Sequence, residues 1–380
     1  MKMKVLHFIS GGDTGGAKTH VLTLLDELRK QNIDVSLLCI MEGIFTEEAR
    51  ALGIEVNVIL QQKRWDFSVM EKIKAFINNS GCDVVHCHGA RANYISLFIM
   101  NSVKVPMLTT LHSDYKLDFK DNIKKQLIFT PINSFALRKF RHILTVTEAF
   151  KKMLIERGFK EERLRVIYNG IRFDEDVKTY TEEEFFKRIK LIKQQDKIYV
   201  GIAARLFAVK GVDVFLKAAA VICKKREDIN FIVLGDGDMR AECENIIREN
   251  NMGNRVHMAG QITDPVLMNS YYTYIDVNTL TSHSESFPYA LLEGARCKCA
   301  TVATAVGGIP EMIRNEKDGL LAKSGDVADI ARCIDILCSD PEKRKQYGES
   351  FYNRAKESFS ASAMAKKHKQ IYEEVIKIGK

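Results

Sequence analysis

Two Rossmann-like lobes in tandem, each a parallel β-sheet wrapped by helices, are the α/β fold that the sequence predicts. Three observations predict it. Short apolar segments of strand length alternate with amphipathic helical segments almost from end to end. A highly charged stretch without strand signals, 171–197, interrupts that alternation near the middle. The length of 380 residues suits two to three domains, and 46% hydrophobic with 28% charged residues is ordinary for a globular protein.

The first series opens with a strand at Val5–Ser10 and a helix at Ala17–Lys30, whose Val21, Leu24, Leu25 and Leu28 share one face. Strands follow at Val35–Ile40 and Val56–Leu60, separated by a helix at Phe45–Leu52 that Gly53 closes. A helix at Val69–Asn78 leads to strands at Val84–His88, Met107–Leu111 and Ile143–Val146. Within 171–197 a helix is expected inside Glu182–Lys193, as a surface helix or as part of the connection between lobes. The second series places strands at Ile198–Ala203, Asn230–Leu234, Val256–Met258, Asp276–Leu280 and Ala300–Ala303. Its helices are expected at Val212–Lys224, Arg240–Asn250, Asp264–Tyr274 and Tyr289–Arg296, with further helices from Val327 onward. In open parallel sheets, ligands sit at the carboxyl ends of the strands, so two such lobes can present those ends across a cleft.

The N-terminus MKMKVLHFIS is basic and then apolar, but the apolar run is too short for a signal peptide and reads as a first strand. No segment approaches the ~18 apolar residues of a membrane span. Nine cysteines, an odd number with no C-x-x-C pair, imply reduced thiols and a cytoplasmic setting. The net charge of +8 is uneven: residues 1–170 carry 25 Lys and Arg against 18 Asp and Glu. That excess fits an anionic partner, a membrane surface among them, or simply a solvated lysine-rich surface. Residues 120–141 mix cations with Leu127, Ile128, Phe129, Phe135 and Phe140. Such a surface can lie on anionic lipid. Equally it can be a pair of core helices with a basic face, divided at Pro131.

Chemistry-bearing motifs occur in both halves. The stretch GGDTGGAKTH, from Gly11 to His20, nearly matches a P-loop, but Ala17 stands where the last glycine belongs. A P-loop ATPase or kinase remains the rival enzyme class, although the strand before His86 offers no acid at its tip for Mg²⁺. No G-x-G-x-x-G follows a strand, which disfavours a dehydrogenase. In the second half, Arg205 and Lys210 lie on a strand-to-helix loop that Gly211 ends, where both can reach a diphosphate or stand as two exposed cations. Gly235-Asp236-Gly237 is a tight turn. In SHSESFPYALLEGA, Glu285 lies in the loop after a strand and Glu293 about one turn inside the next helix, whose first amides near Tyr289 and Ala290 can bind phosphate. Acids beside a phosphate site would suit sugar or ribose hydroxyls; acids at a helix start also suit the dipole alone. The run His86-Cys87-His88, with Cys82 nearby, allows a metal site in principle, but His86 and Cys87 point to opposite faces of a strand.

The glycine-rich loop, LHSDY, VIYNGI, R-x4-K-G, GDG, E-x7-E and VGGIPEMI occur in this order along one chain, and that order resembles the family 4 glycosyltransferases, retaining enzymes of the GT-B fold. The resemblance covers about residues 4 to 350. It implies an acceptor-binding domain at 1–170, a linker region at 171–197, a donor-binding domain at 198–355, and a C-terminal helix at 356–380 that packs back on the first domain. It implies transfer of a sugar from a nucleotide-diphosphate sugar, UDP-sugar foremost, to a saccharide or lipid-linked acceptor in cell-surface polysaccharide or glycolipid synthesis. A small soluble acceptor is the alternative. The site is expected on the inner face of the membrane, with no cofactor, no metal and no nucleic acid. By resemblance, Arg205 and Lys210 hold the donor diphosphate, Glu293 the ribose and Glu285 the transferred sugar. Amides at Tyr289 and Ala290 meet the distal phosphate, and Ile262 lies at the base. Gly16 offers its amide to the diphosphate, and His112 lines the sugar pocket. Phe287 belongs to the donor motif, but Pro288 follows it where many members have glycine, and proline has no N–H to offer. His88, Arg91 and His20 are expected near the acceptor.

Overall fold

The computed structural model describes residues 2–12, 15–62, 66, 68–116, 123–173 and 175–379. Two compact units emerge, the first made of 1–170 with 360–380 and the second of 171–359.

The first unit runs β1 (Lys4–Ile9), α1 (Gly15–Lys30), β2 (Asp34–Cys39), α2 (Ile44–Ala51), β3 (Glu55–Val58), α3 (Ser68–Asn79), β4 (Val84–His88), α4 (Gly89–Ile99), β5 (Met107–Leu111), α5 (Ile123–Lys139), β6 (His142–Thr145), α6 (Glu148–Glu156) and β7 (Leu164–Val166). Its strands pair in parallel in the order β3-β2-β1-β4-β5-β6-β7. The chain builds outward from β1 to β3, then returns to place β4 on the other side of β1. The switch point of the sheet therefore lies between β1 and β4. Strands β4 and β5 are buried along their whole length, as a parallel sheet covered on both faces requires.

The second unit runs α7 (Glu182–Arg188), β8 (Ile198–Ala203), α8 (Val212–Cys223), β9 (Ile229–Leu234), α9 (Arg240–Glu249), β10 (Val256–Gly260), α10 (Pro265–Tyr274), β11 (Val277–Leu280), α11 (Tyr289–Arg296), β12 (Ala300–Thr304), α12 (Ile309–Met312), β13 (Leu320–Ala322), α13 (Val327–Ser339) and α14 (Pro341–Ser358). Its parallel sheet has the order β10-β9-β8-β11-β12-β13, so its switch point falls between β8 and β11. Helix α8 packs Phe215, Leu216, Ala219 and Ile222 into the core over Val200, Phe231 and Val233. Side-chain caps start several helices: Asp326 accepts from the Asp329 amide and Asp340 from the Lys343 amide, with Pro341 at the first helical position. A fully buried Asp318 is held by Arg314 at 2.7 Å, Arg354 at 3.6 Å and the Ser350 hydroxyl at 2.8 Å.

Helix α15 (Ala361–Gly379) returns to the first unit, where Met364, Ala365, Ile371, Tyr372 and Val375 join the core beside α1.

Three expectations need correction. The stretch 171–197 is more than a connection: Thr181 caps α7, and Phe185 and Phe186 are buried against Tyr199, Tyr271 and Tyr272 of the second unit. Pro131 does not divide its segment. One helix, α5, runs through it, because the ring forfeits a single backbone bond while Ala136 and Leu137 stay buried. The start of that basic segment, 117–122, lies outside the described residues, as do Asp13 and Thr14 of the glycine-rich stretch. Strand β10 also extends to Gly260, past the expected end at Met258.

Candidate functional site

The carboxyl ends of β8, β11 and β12 bring three loops of the second unit together at its switch point. The loop after β8 carries Arg205, which is exposed, and a short turn ending at Lys210. Gly211 then takes a left-handed φ of 61°, and a Cβ there would collide with the Thr281 carbonyl oxygen. The loop after β11 is stitched to it: the Thr281 hydroxyl donates to the Gly211 carbonyl at 2.9 Å and the His283 amide to the Val209 carbonyl at 2.8 Å. Across this seam Lys210 Nζ meets Glu285 Oε1 at 2.6 Å, in a pair whose side chains are 20% and 9% exposed. The Ser282 hydroxyl donates to the same carboxylate oxygen at 2.7 Å. The loop after β12 closes the third side. Gly307, with φ 53°, lies so close to the Glu285 carbonyl that no side chain fits there, and the Thr304 hydroxyl donates to the Ser282 carbonyl at 2.6 Å.

Helix α11 begins immediately after, with Pro288 as its N-cap and no side chain capping its first amides. Glu293 lies inside that helix and is half-buried. Burial pushes its carboxyl pKa up, against the pull of Arg296 and a 3.3 Å hydrogen bond from the Tyr272 hydroxyl. Tyr289 turns a hydroxyl inward that has no partner among the described residues. Phe287 is buried against Phe359 with ring centroids 5.5 Å apart, so that only its backbone remains for a ligand. Ile262 is half-buried and packs against the core cluster that holds Tyr271 and Tyr272. The arrangement offers two cations, free helix amides and two carboxylates of different character. One carboxylate is already bound to a cation; the other is desolvated and suited to accept from hydroxyls.

The switch point of the first unit is built of histidine. His7 on β1 stands opposite His86 on β4, in register, and His88 follows two residues on, on the same face. Helix α1 adds His20, the residue after β5 is His112, and α15 adds His368. His7 Nδ1 lies 3.0 Å from His88 Nε2, and His88 Nδ1 lies 3.2 Å from His112 Nε2. His86 bonds at 2.7 Å to both the Tyr372 and Thr110 hydroxyls. Burial holds all six imidazoles in the neutral form, with the pKa of His7 lowered to about 3 and that of His20 to about 4. Six of the chain's nine histidines thus form one uncharged cluster.

Sequence reasoning named His20, His88 and His112 separately and missed His7 and His368 altogether. His20 was expected near an acceptor. It is wholly buried, bonded through Nδ1 to Asn169 Oδ1 at 2.7 Å. His88 and His112 line a cavity of about 260 Å³ that Asn93, Thr110 and Asn133 also wall. Arg91 is engaged with the Gln61 amide oxygen at 2.8 and 3.0 Å. Cys87 points away from the histidines to the Ser96 hydroxyl, and burial raises its thiol pKa to about 12, which removes it from the His-Cys-His metal motif. Gly16 sits in the first turn of α1. Lys18, the would-be P-loop lysine, is held by both oxygens of Glu48 at 2.7 and 2.9 Å.

Residues 14–175 match the model described as Glycosyltransferase Family 4, and residues 183–354 match Glycosyl transferases group 1. A Campylobacter jejuni protein, N,N'-diacetylbacillosaminyl-diphospho-undecaprenol alpha-1,3-N-acetylgalactosaminyltransferase, is 25% identical over 363 residues, covering 92% of this chain and 93% of its own. The phosphatidylinositol N-acetylglucosaminyltransferase GPI3 subunit of Saccharomyces cerevisiae is 24% identical over 307 residues, 80% of this chain. The chain spans 66% of that subunit's length. Among solved structures, Anabaena HepE in complex with UDP gives a TM-score of 0.82 at 20% identity, over 98% of this chain and 100% of that one. A glycosyltransferase from Rickettsia africae gives 0.82 at 20% identity, over 99% of each chain.

Proposed function

The chain belongs to the family 4, group 1 glycosyltransferases with the GT-B fold, and from that premise we propose that it moves a sugar from a UDP-sugar to a hydroxyl of a lipid-linked saccharide, with retention at the anomeric carbon. What carries the reading is the convergence of Arg205, Lys210, Glu285 and the open amides of α11 at one switch point.

As the glycosidic bond breaks, negative charge develops on the departing nucleoside diphosphate. Arg205 and Lys210, with the amides of Tyr289 and Ala290, are groups of the right sign to take it. No metal ion is required at the diphosphate in this scheme. Lys210 arrives already paired, so a bound phosphate competes with Glu285 for it. Release of the carboxylate leaves Glu285 to hold a sugar hydroxyl instead. Glu293, desolvated and without a cation in direct contact, accepts from the ribose hydroxyls. The attacking acceptor hydroxyl enters on the leaving-group face and passes its proton to a phosphate oxygen, so that neither glutamate serves as a nucleophile. The UDP preference draws on the UDP complex of HepE, and the lipid-linked acceptor on the name of the Campylobacter relative.

The test is turnover with a panel of UDP-, GDP- and ADP-sugars and a membrane-extracted acceptor. Lys210→Ala should lower kcat by about a hundredfold or more, the usual cost of removing one preorganised charge partner. Unchanged turnover in that variant refutes the assignment. The anomeric coupling in the product NMR spectrum tests retention, and an inverted product ends that part of the reading.

A further inference from the structure

The histidine cluster contains more lone pairs than its hydrogen bonds use. His20 Nδ1 is bonded to the Asn169 carbonyl oxygen, which makes it the protonated nitrogen and leaves Nε2 as a bare lone pair. That Nε2 is buried and has no partner among the described residues. His88 and His112 face each other through Nδ1 and Nε2 at 3.2 Å. One ring nitrogen from each of His20, His88 and His112 lies within 4.8 Å of the other two. The His88–His112 contact is one shared hydrogen bond, so the nitrogens of this triad without a partner among the described residues are His20 Nε2 and His112 Nδ1, and a buried lone pair such as that on His20 is costly. A cation shared among the three rings removes that cost, with the proton of His112 moving to Nδ1.

We propose that His20 Nε2, His88 Nδ1 and His112 Nε2 bind one transition-metal ion of the zinc class, with its fourth coordination position open to the adjoining cavity. Tetrahedral Zn–N bonds of about 2.0–2.1 Å place ligand nitrogens roughly 3.3 Å apart, so the His88–His112 spacing already suits the ion. Two of the three rings have outer partners in place. Asn169 orients His20, and His7 Nδ1 accepts the remaining N–H of His88 at 3.0 Å. An all-imidazole set selects zinc, cobalt, nickel or copper over magnesium or calcium. The alternative triad of His7, His86 and His88 fits worse, because hydroxyls occupy both nitrogens of His86. The cavity walled by His88, His112, Asn93 and Asn133 supplies the open side. Its position matches the rule that ligands gather at the switch point of a parallel sheet. The proposal does not rest on the transferase reading, and its readouts are metal content and spectrum rather than turnover.

The experiment uses the full chain without a polyhistidine tag. After chelator treatment and dialysis, Zn²⁺ or Co²⁺ is added back, excess is removed by gel filtration, and metal per chain is measured by mass spectrometry. One equivalent of metal is expected, and the cobalt form should show the intense visible bands of four-coordinate Co²⁺. His20→Gln and His112→Gln should each weaken binding at least tenfold, while His142→Gln, outside the cluster, should keep full occupancy. Circular dichroism checks that the variants fold. If they do not, the wild-type stoichiometry and cobalt spectrum decide alone. Less than about a tenth of an equivalent in folded wild type, an octahedral cobalt spectrum, or full occupancy in His20→Gln overturns the site.

Discussion

Acid should unfold the metal-free first unit well before carboxylates begin to titrate. The perturbation is a shift from pH 7 to pH 5. His7 and His20 have folded pKa values of about 3 and about 4, because burial penalises the imidazolium. In the unfolded chain both return to about 6.5. Between those values the unfolded state binds more protons than the folded state, so stability rises with pH. The contribution is fully present above about pH 6.5 and drains as pH falls, until about pH 4 for His20 and about pH 3 for His7. Over the two units from pH 7 to 5, each imidazole costs about 2 kcal/mol, so this pair costs about 4 kcal/mol. His86, His88, His112 and His368 shift in the same direction for the same first cause, burial, and add to the loss. Against a typical domain stability of about 5–15 kcal/mol, that is enough to unfold the unit.

Urea denaturation at pH 7, 6 and 5 in the presence of chelator measures it, and hydrogen exchange locates it. Protection should fall in β1, β4 and α15 and hold in β8 and β9, since the second unit contains only His257 and His283. His20→Gln should remove about 2 kcal/mol of the pH dependence. Equal unfolding free energies at pH 7 and pH 5, within about 1 kcal/mol, would refute the claim that the cluster is dry and neutral.

Four further outcomes are expected. Lys18→Ala should leave transfer intact and cost no more than about 1 kcal/mol of stability, as the loss of a half-exposed ion pair does. Gly16→Val should depress transfer, since a side chain there blocks close backbone approach; equal activity in the two variants would return the opening loop to the P-loop reading. Asp318→Ala should destabilise the second unit by about 3 kcal/mol in thermal or urea unfolding, because Arg314 and Arg354 then lose a fully buried partner. Leu127 and Phe135 are exposed on the basic helix α5, and no helix among the described residues is long and apolar enough to cross a membrane. Leu127→Glu with Phe135→Glu should reduce sedimentation with anionic vesicles severalfold, and binding that survives both changes would remove α5 as the membrane face.

Periodicity made most strands of the two sheets legible, though not the three-residue edge strands β7 and β13. Each strand of β1, β4, β8 and β9 is a run of apolar residues bounded by turns, and local pattern suffices for that. Helix α4 escaped notice because its run 89–99 is apolar on too many sides to show an amphipathic period, and it starts directly at the strand end without a capping side chain. The connection around α7 looked like a linker because the five charges of that helix surround only two phenylalanines, and those two carry the packing. Here composition pointed one way and tertiary burial the other. At the switch point of the second unit, the gathering of Arg205, Lys210, Glu285 and Glu293 was readable because all four lie along one continuous series of strand-end loops and the helix that follows. Their pairing was not. That Lys210 already holds Glu285 depends on β8 and β11 being neighbours, a fact of sheet order that residues 75 apart in sequence do not reveal.

The histidine cluster shows the same limit more sharply. Its members come from β1, α1, β4, the end of β5 and α15, and the contact between His86 and Tyr372 joins residues 286 apart. Each histidine alone reads as a strand-end residue or a core ring. What distinguishes them is joint: register sets His7 beside His86, the period of two sets His88 on the same face, and α15 returns to seal the cluster from water. A single imidazole in that place would be a modest polar defect. Six together, with the lone pair on His20 Nε2 fixed by Asn169, concentrate that cost at one place, where a bound ion would offset it. The pH and metal experiments bear on that one point from opposite sides. An ion on the lone pairs should oppose protonation, so zinc should move the acid transition to lower pH in wild type and leave it unmoved in His20→Gln.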